Sequence, residues 1–207
     1  MIIDPKDQDF SATQKLMIGS ILPRPIAFVS TLSKDEVPNL APFSYFNGVC
    51  SNPPTIVFAP SRRGYDGKSK DTLNNIRHTE EFVVNIVSEK FARQMVMCAT
   101  DFDADVNEFE ISGLTPVPSM KVTPPRVGES PINFECKLNQ IVEVGDGSPG
   151  SGFLVIGTIL LFHVDDEIYE DGHINLEKLQ PIGRLAGHRY ARVTDTMEIV
   201  RKIRPDD

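Results

Sequence analysis

Residues 132 to 164 constrain this chain more than any other stretch. "INFECKLNQIVEV" (Ile132–Val144) and "GFLVIGTILLFHV" (Gly152–Val164) are long runs of β-prone residues joined by the glycine-rich "GDGSPGSG". They read as a hairpin, which commits the sheet to antiparallel pairing. Shorter runs fit around it: "PIAFVST" (Pro25–Thr31), "NLAPFSYF" as its returning arm, "TIVFAP" (Thr55–Pro60) and "FVVNIV" (Phe82–Val87). "EIYEDGHIN" is expected to end the sheet at an Asp171-Gly172 turn. Two helices interrupt the strands. "SKDTLNNIRHTEEF" has Leu73 and Ile76 at helical spacing with Ser69 as N-cap, and a second helix follows Ser88 with Phe91, Met95, Cys98, Ala92, Val96 and Ala99 on an apolar face. Asp101 to Ser130 is polar and proline-rich, and reads as an excursion across the surface. The pattern predicts a mostly β fold, an antiparallel barrel with inserted helices, in a single domain over 1–207 with its core at about 20–192.

Composition removes several functions. Acidic residues outnumber basic ones 29 to 21, for a net charge of -8. The basic residues form no long block, so nucleic acid is excluded as a partner. Apolar stretches such as Phe153–Phe162 are too short to span a bilayer, so no membrane partner is expected. "MIIDPKDQDF" has no apolar signal segment, and the expected location is the cytoplasm. Cys50, Cys98 and Cys136 form no C-x-x-C pair and are read as small buried hydrophobes.

The familiar catalytic motifs fail. Gly67-Lys68-Ser69 ends like a phosphate loop, but Arg62 stands where its first glycine belongs. Asp101, Asp103 and Asp105 begin like a calcium loop, but Val106 replaces the required glycine and Ser112 the closing glutamate. His78, His163, His173 and His188 lack metal spacing, so no metal site is expected. With no evident nucleophile, the chemistry points to a cofactor.

The residues between the strands match the needs of flavin mononucleotide, whose ring takes backbone donors, whose ribityl chain takes hydroxyls and whose phosphate takes cations and a helix N-terminus. Ser30 and Thr31 close a strand, "NLAPFS" offers a proline-shaped backbone, Ser61, Arg62 and Arg63 follow the next strand, and Lys70-Asp71-Thr72 opens a helix. Each has a plain alternative: the hydroxyls could satisfy strand-end backbone groups, and the cations could point at water. If Arg62, Arg63, Lys68 and Lys70 all face the pocket, they exceed one phosphate's needs and leave charge for a second anion, such as a nicotinamide nucleotide's pyrophosphate.

"RPIAFVST", "NLAPFSYFNGVCSNPP", "KDTLNNI" and "EFVVNIV", followed by "NEFEISGLTPVPS", "ESPINFECKL" and "GRLAGHRYAR", resemble, in order, the flavin reductase-like family. The resemblance implies a six-stranded antiparallel FMN-binding split barrel of Greek-key type, working as a homodimer with FMN near the interface. It implies that Ser30 and Thr31 flank the ring or ribityl chain. Asn39, Leu40, Ala41, Pro42 and Phe43 would supply backbone contacts to the ring, and Ser44 and Asn47 would meet the ribityl-phosphate end. Ser61, Arg62, Lys70 and Thr72 would hold the phosphate, and Arg184 and Tyr190 would complete the pocket. The implied activity is hydride transfer from NAD(P)H to FMN, with electrons passing to free flavin, a ferric complex or a partner oxygenase. An electron carrier without a nicotinamide site, and a relative that has lost flavin, are the other readings.

Overall fold

The computed structural model describes residues 1–200. Seven strands form one antiparallel sheet: β1 (Ala27–Leu32), β2 (Pro38–Phe43), β3 (Phe46–Ser51), β4 (Pro54–Phe58), β5 (Glu81–Ile86), β6 (Ile132–Val144) and β7 (Gly152–Val164). Their order is β2-β1-β5-β6-β7-β4-β3. The mostly β antiparallel architecture is as expected, with one strand more than the resemblance implied. β2 and β3 are consecutive in the chain yet occupy opposite edges, with only Ser44 and Tyr45 between them. Three peptide steps span at most about 11 Å. The sheet must therefore curl until its edges nearly meet, which makes it a barrel split along one seam. Bulges at Glu135/Cys136 and Leu138/Gln140 in β6–β7, and at Gly48/Cys50 in β3–β4, provide local bends.

The barrel is filled. Phe82 lies 5.5 Å from Phe58 and Phe58 lies 5.2 Å from Phe43, centroid to centroid. A Cβ at Gly157 would come within 2.3 Å of the Phe82 ring, so glycine is what admits that ring. Leu73 and Ile76 of α2 (Asp71–Thr79) close this core. A second core, with Phe28, Leu40, Phe91, Met95, Phe109 and Val127, lies on the other face of β1. β1 is covered on both faces, which is why its sequence alternates only weakly.

The structure corrects several expectations. The 101–130 segment is not a surface excursion. It sends α4 (Glu108–Ser112), Leu114 and Val127 into the second core, because β1 and β2 would otherwise present bare apolar side chains there. Tyr169–Glu170 and His173–Ile174 pair with each other as a separate ribbon instead of ending the sheet, since β2 and β3 already form both edges. Lys70, not Ser69, is the N-cap residue of α2, and the Ser69 hydroxyl donates to Asn74 Oδ1 at 2.7 Å. After Ser88 the chain makes a short 3-10 turn before α3 (Ala92–Met97), and Val96 and Ala99 face solvent. Cys50 is exposed on edge strand β3, while Cys98 and Cys136 are buried as read. A helix missed in the sequence, α1 (Phe10–Ser20), buries none of its residues, so it carries no apolar-face signal. Buried Arg24 holds its end by donating to the Ile18 and Ile21 carbonyls at 2.9 and 2.7 Å.

Glu135 is fully buried on β6. It accepts N–H bonds from Met120 at 2.8 Å and Lys121 at 2.5 Å, and it meets His163 Nε2 at 2.5 Å. Burial pushes its pKa up, but these donors outweigh burial and hold the carboxyl below the ordinary range. Its contribution is present above the unfolded value of about 4.3 and is lost as pH falls through the lower folded value. Glu135→Gln should cost about 2–3 kcal/mol at neutral pH, read as a lower urea midpoint, with the gap to wild type narrowing in acid.

Candidate functional site

The cleft lies beside the barrel where β2, the start of α2 and the segment after α3 converge. Asn39, Ala41, Pro42 and Phe43 form one wall, Arg63, Lys70, Asp71 and Thr72 a second, and Ala99 to Phe102 with Glu108 the third. Its cavity volume is about 70 Å³.

One polar network fixes the walls. The Thr72 hydroxyl donates to Asn39 Oδ1 at 2.8 Å, and Asn39 Nδ2 donates to Glu108 Oε1 at 2.7 Å. Glu108 Oε2 accepts the Leu40 N–H at 3.0 Å. Thr31 accepts from Asn75 Nδ2 at 3.0 Å and donates to Asn39 Oδ1 at 3.4 Å. Burial raises the Glu108 pKa, and the bonds from Leu40 and Asn39 oppose that rise without cancelling it. Cys98 also borders the cleft, but burial pushes its thiol up to about 11, so it is protonated and no nucleophile at neutral pH.

The second wall brings two cations, each paired with a carboxylate, to the start of a helix. α2 begins without a side-chain cap, and the Leu73 N–H is taken by the Lys70 carbonyl at 3.0 Å. The amides of the cleft-lining Asp71 and Thr72, at the positive end of the dipole, are left without a partner among the described residues. Lys70 Nζ meets Asp101 Oδ1 at 2.6 Å, and Arg63 Nη2 meets Asp71 Oδ2 at 2.8 Å. Arg63 Nε is buried with no hydrogen-bond partner among the described residues. An uncapped helix start, two cations and an orphaned guanidinium N–H fit an anionic group such as a phosphate.

The expected residues divide into two sets. Asn39, Ala41, Pro42, Phe43, Lys70 and Thr72 come together here, with Thr31 behind Asn39. Ser30 and Thr31 are adjacent on a strand and therefore point to opposite faces. Ser30 is turned away, donating to the Pro125 carbonyl at 2.5 Å and accepting from Asn85. Leu40 packs in the second core and its N–H is taken by Glu108. Ser44 accepts from Arg24 at 3.2 Å, while Asn47 sits exposed on β3 with its Oδ1 on the Gly48 N–H. Ser61 pairs with Gly152, and Arg62 stacks on Phe153 at 4.9 Å and bonds Glu143 at 2.5 Å. Arg184 stacks on Tyr190 at 4.7 Å, outside this cleft. With Arg62 turned away and Lys68 exposed, the cations facing the cleft among the described residues are Arg63 and Lys70, so the four-cation set that suggested a second anion does not assemble there. Two contributors were missed. Asp101, Phe102 and Glu108 lay in the segment read as a surface excursion, and Ala99 in the helix read after Ser88; only the buried-type Phe109 hinted at packing.

Fold and cleft define a split-barrel protein with a polar cleft on its flank, bordered by the start of α2, Arg63 and Lys70. Residues 18–179 match the flavin reductase like domain, and the chain belongs to that family. Its fold is similar to nitrilotriacetate monooxygenase component B from Bacillus cereus, at 39% identity and TM-score 0.92, covering 96% of this chain and 98% of that one. It is also similar to the 2-nitrobenzoate 2-nitroreductase of Pseudomonas fluorescens, at 33% identity and TM-score 0.87, covering 98% and 97%. Flavoredoxin of Desulfovibrio vulgaris (Miyazaki F) matches at 26% identity and TM-score 0.73, covering 90% and 94%.

Glu108→Ala removes the acceptor for Asn39 and for the buried Leu40 N–H. It should destabilise the protein by about 2–3 kcal/mol by thermal or urea unfolding, and amide exchange at Leu40 should quicken more than at β5.

Proposed function

We propose that the protein is an FMN-dependent NAD(P)H oxidoreductase acting as a flavin reductase in the cytoplasm. The observation that carries the reading is the uncapped start of α2 between Arg63 and Lys70, set against the β2 wall, in a flavin reductase-like chain. Arg63, Lys70 and the first α2 amides would hold the FMN phosphate, with the Thr72 hydroxyl beside them. Ala41, Pro42 and Phe43 would run along the flavin. Bound FMN supplies the hydride acceptor and passes electrons onward. The chain's own task is to bind and orient, because hydride transfer requires no protein acid or base. The protonated Cys98 and the fully engaged Glu108 suit that division of labour.

A cavity volume of about 70 Å³ suits an anchoring group, and the tricyclic ring would lie on the open side of the cleft. A second copy of the chain is the proposed cover. β7 is apolar inward at Phe153, Val155 and Ile159, yet also presents Leu154, Leu160 and Phe162 to solvent, with Val49 of β3 likewise exposed. Strands apolar on both faces belong between two layers. In this reading Arg184 and Tyr190 act at the cleft of the second copy. The similarity to a monooxygenase component supports a partner oxygenase as electron acceptor, with free flavin as the simpler one.

The similarity to flavoredoxin favours one alternative, an FMN electron carrier without its own nicotinamide site. Anaerobic mixing separates the two. The purified protein should carry or take up FMN, and NADH or NADPH should bleach it within seconds, in keeping with turnover of about 1–10³ s⁻¹. Persistent colour would identify the carrier, and failure to take up FMN would overturn both. Arg63→Ala should weaken FMN binding roughly tenfold, measured by flavin fluorescence.

A further inference from the structure

The proposed phosphate site is already occupied by the protein's own charge. Among the described residues two cations, Arg63 and Lys70, face three carboxylates, Asp71, Asp101 and Glu108. A phosphate monoester brings a charge of about −1.5 to −2. Added to that set it would sit in an excess of negative charge, so one carboxylate has to withdraw.

Two of the three are locked in place. Asp71 is in the first turn of α2, where the helix dipole favours it, and it bonds Arg63 at 2.8 Å. Glu108 is buried on α4 and holds both Asn39 and the Leu40 N–H. Asp101 differs. It lies in the irregular stretch between α3 and α4, its side chain is 38% exposed, and its ion pair with Lys70 is at the cleft rim. Partly exposed pairs of this kind are weak and exchangeable.

We propose that Asp101 is an internal competitor for Lys70, an autoinhibitory latch that a phosphate-bearing flavin must displace. The latch rests on the reading of the cleft as an FMN site. It lowers affinity for FMN, speeds release and couples phosphate binding to departure of the Ala99–Phe102 wall. A flavin without phosphate leaves the latch closed. The protein then holds FMN as an exchangeable group, suited to handing reduced flavin to another protein. The opposite arrangement, in which Asp101 orients Lys70 toward the phosphate, predicts effects of opposite sign.

The test is fluorescence titration and stopped-flow release of FMN and riboflavin, using the full chain, Asp101→Asn, Lys70→Ala and the double variant. Asp101→Asn should tighten FMN about threefold and slow its release, with riboflavin unchanged. In the Lys70→Ala background, where FMN is weakened, the same change should give no gain. Looser FMN in Asp101→Asn, unchanged FMN, or equal tightening of riboflavin would overturn the latch while leaving the FMN site intact. FMN affinity unaffected by Lys70→Ala would remove the phosphate from this cleft and overturn both readings together.

Discussion

The link between β2 and β3 governs this molecule. Two residues connect the opposite edges of a seven-stranded sheet, so the sheet has no flat alternative. Closure brings the inward residues of distant strands onto one axis, where Phe43, Phe58 and Phe82 pack tilted or edge-to-face. Such rings contribute large buried area plus a modest geometric preference. Gly157 belongs to the same constraint, because any larger residue there would push Phe82 out of the centre. A barrel packed in this way has no interior room for a ligand. The candidate cleft accordingly lies on the flank, where the helix that plugs one side meets the strand that borders the seam.

At that flank, side-chain hydrogen bonding takes over from apolar packing. Asn39 is bound by Thr31, Thr72 and Glu108, and so ties β1, α2 and α4 to β2 through a single side chain. Each of those groups is buried or nearly so, and each would be costly if left unpaired. The network therefore fixes the cleft wall more firmly than any one ion pair at its rim. The cations, by contrast, are balanced by carboxylates a few ångströms away, and their availability depends on which of those can move.

The hairpin, β1, β2, β4, β5 and α2 were legible because each shows a local pattern: β-branched runs between proline or glycine, or apolar spacing of three and four. The start of α2 and the β2 wall were legible for the same reason, since a cleft built from consecutive residues can be read consecutively. The Ser30 side chain turns from the cleft because strand neighbours alternate in direction, and the Leu40 N–H is taken by Glu108, a partner that no local pattern announces. α1 was invisible because no residue of it is buried. The 101–130 segment misled because its acidic and proline-rich composition resembles a solvated loop, whereas Phe109, Leu114 and Val127 fill the second core. Glu108 was the costliest omission. A buried glutamate amid exposed acids carries no local signature, because its partners are the backbone of Leu40 and the amide of Asn39, about seventy residues earlier.

A flank site also accounts for how the proposed chemistry would be divided. A cofactor enclosed in a barrel is shielded from a second reactant, whereas one lying along β2 keeps a ring face open to donor and acceptor in turn. The same openness leaves the ring unprotected in a single copy of the chain. The outward apolar row of β7 is the complementary feature: it exposes Leu160 and Phe162 where a lone barrel would carry polar residues. Open cleft and apolar strand face are thus two features of one arrangement, a filled barrel that in the proposed reading would bind at its side and be covered by a second copy.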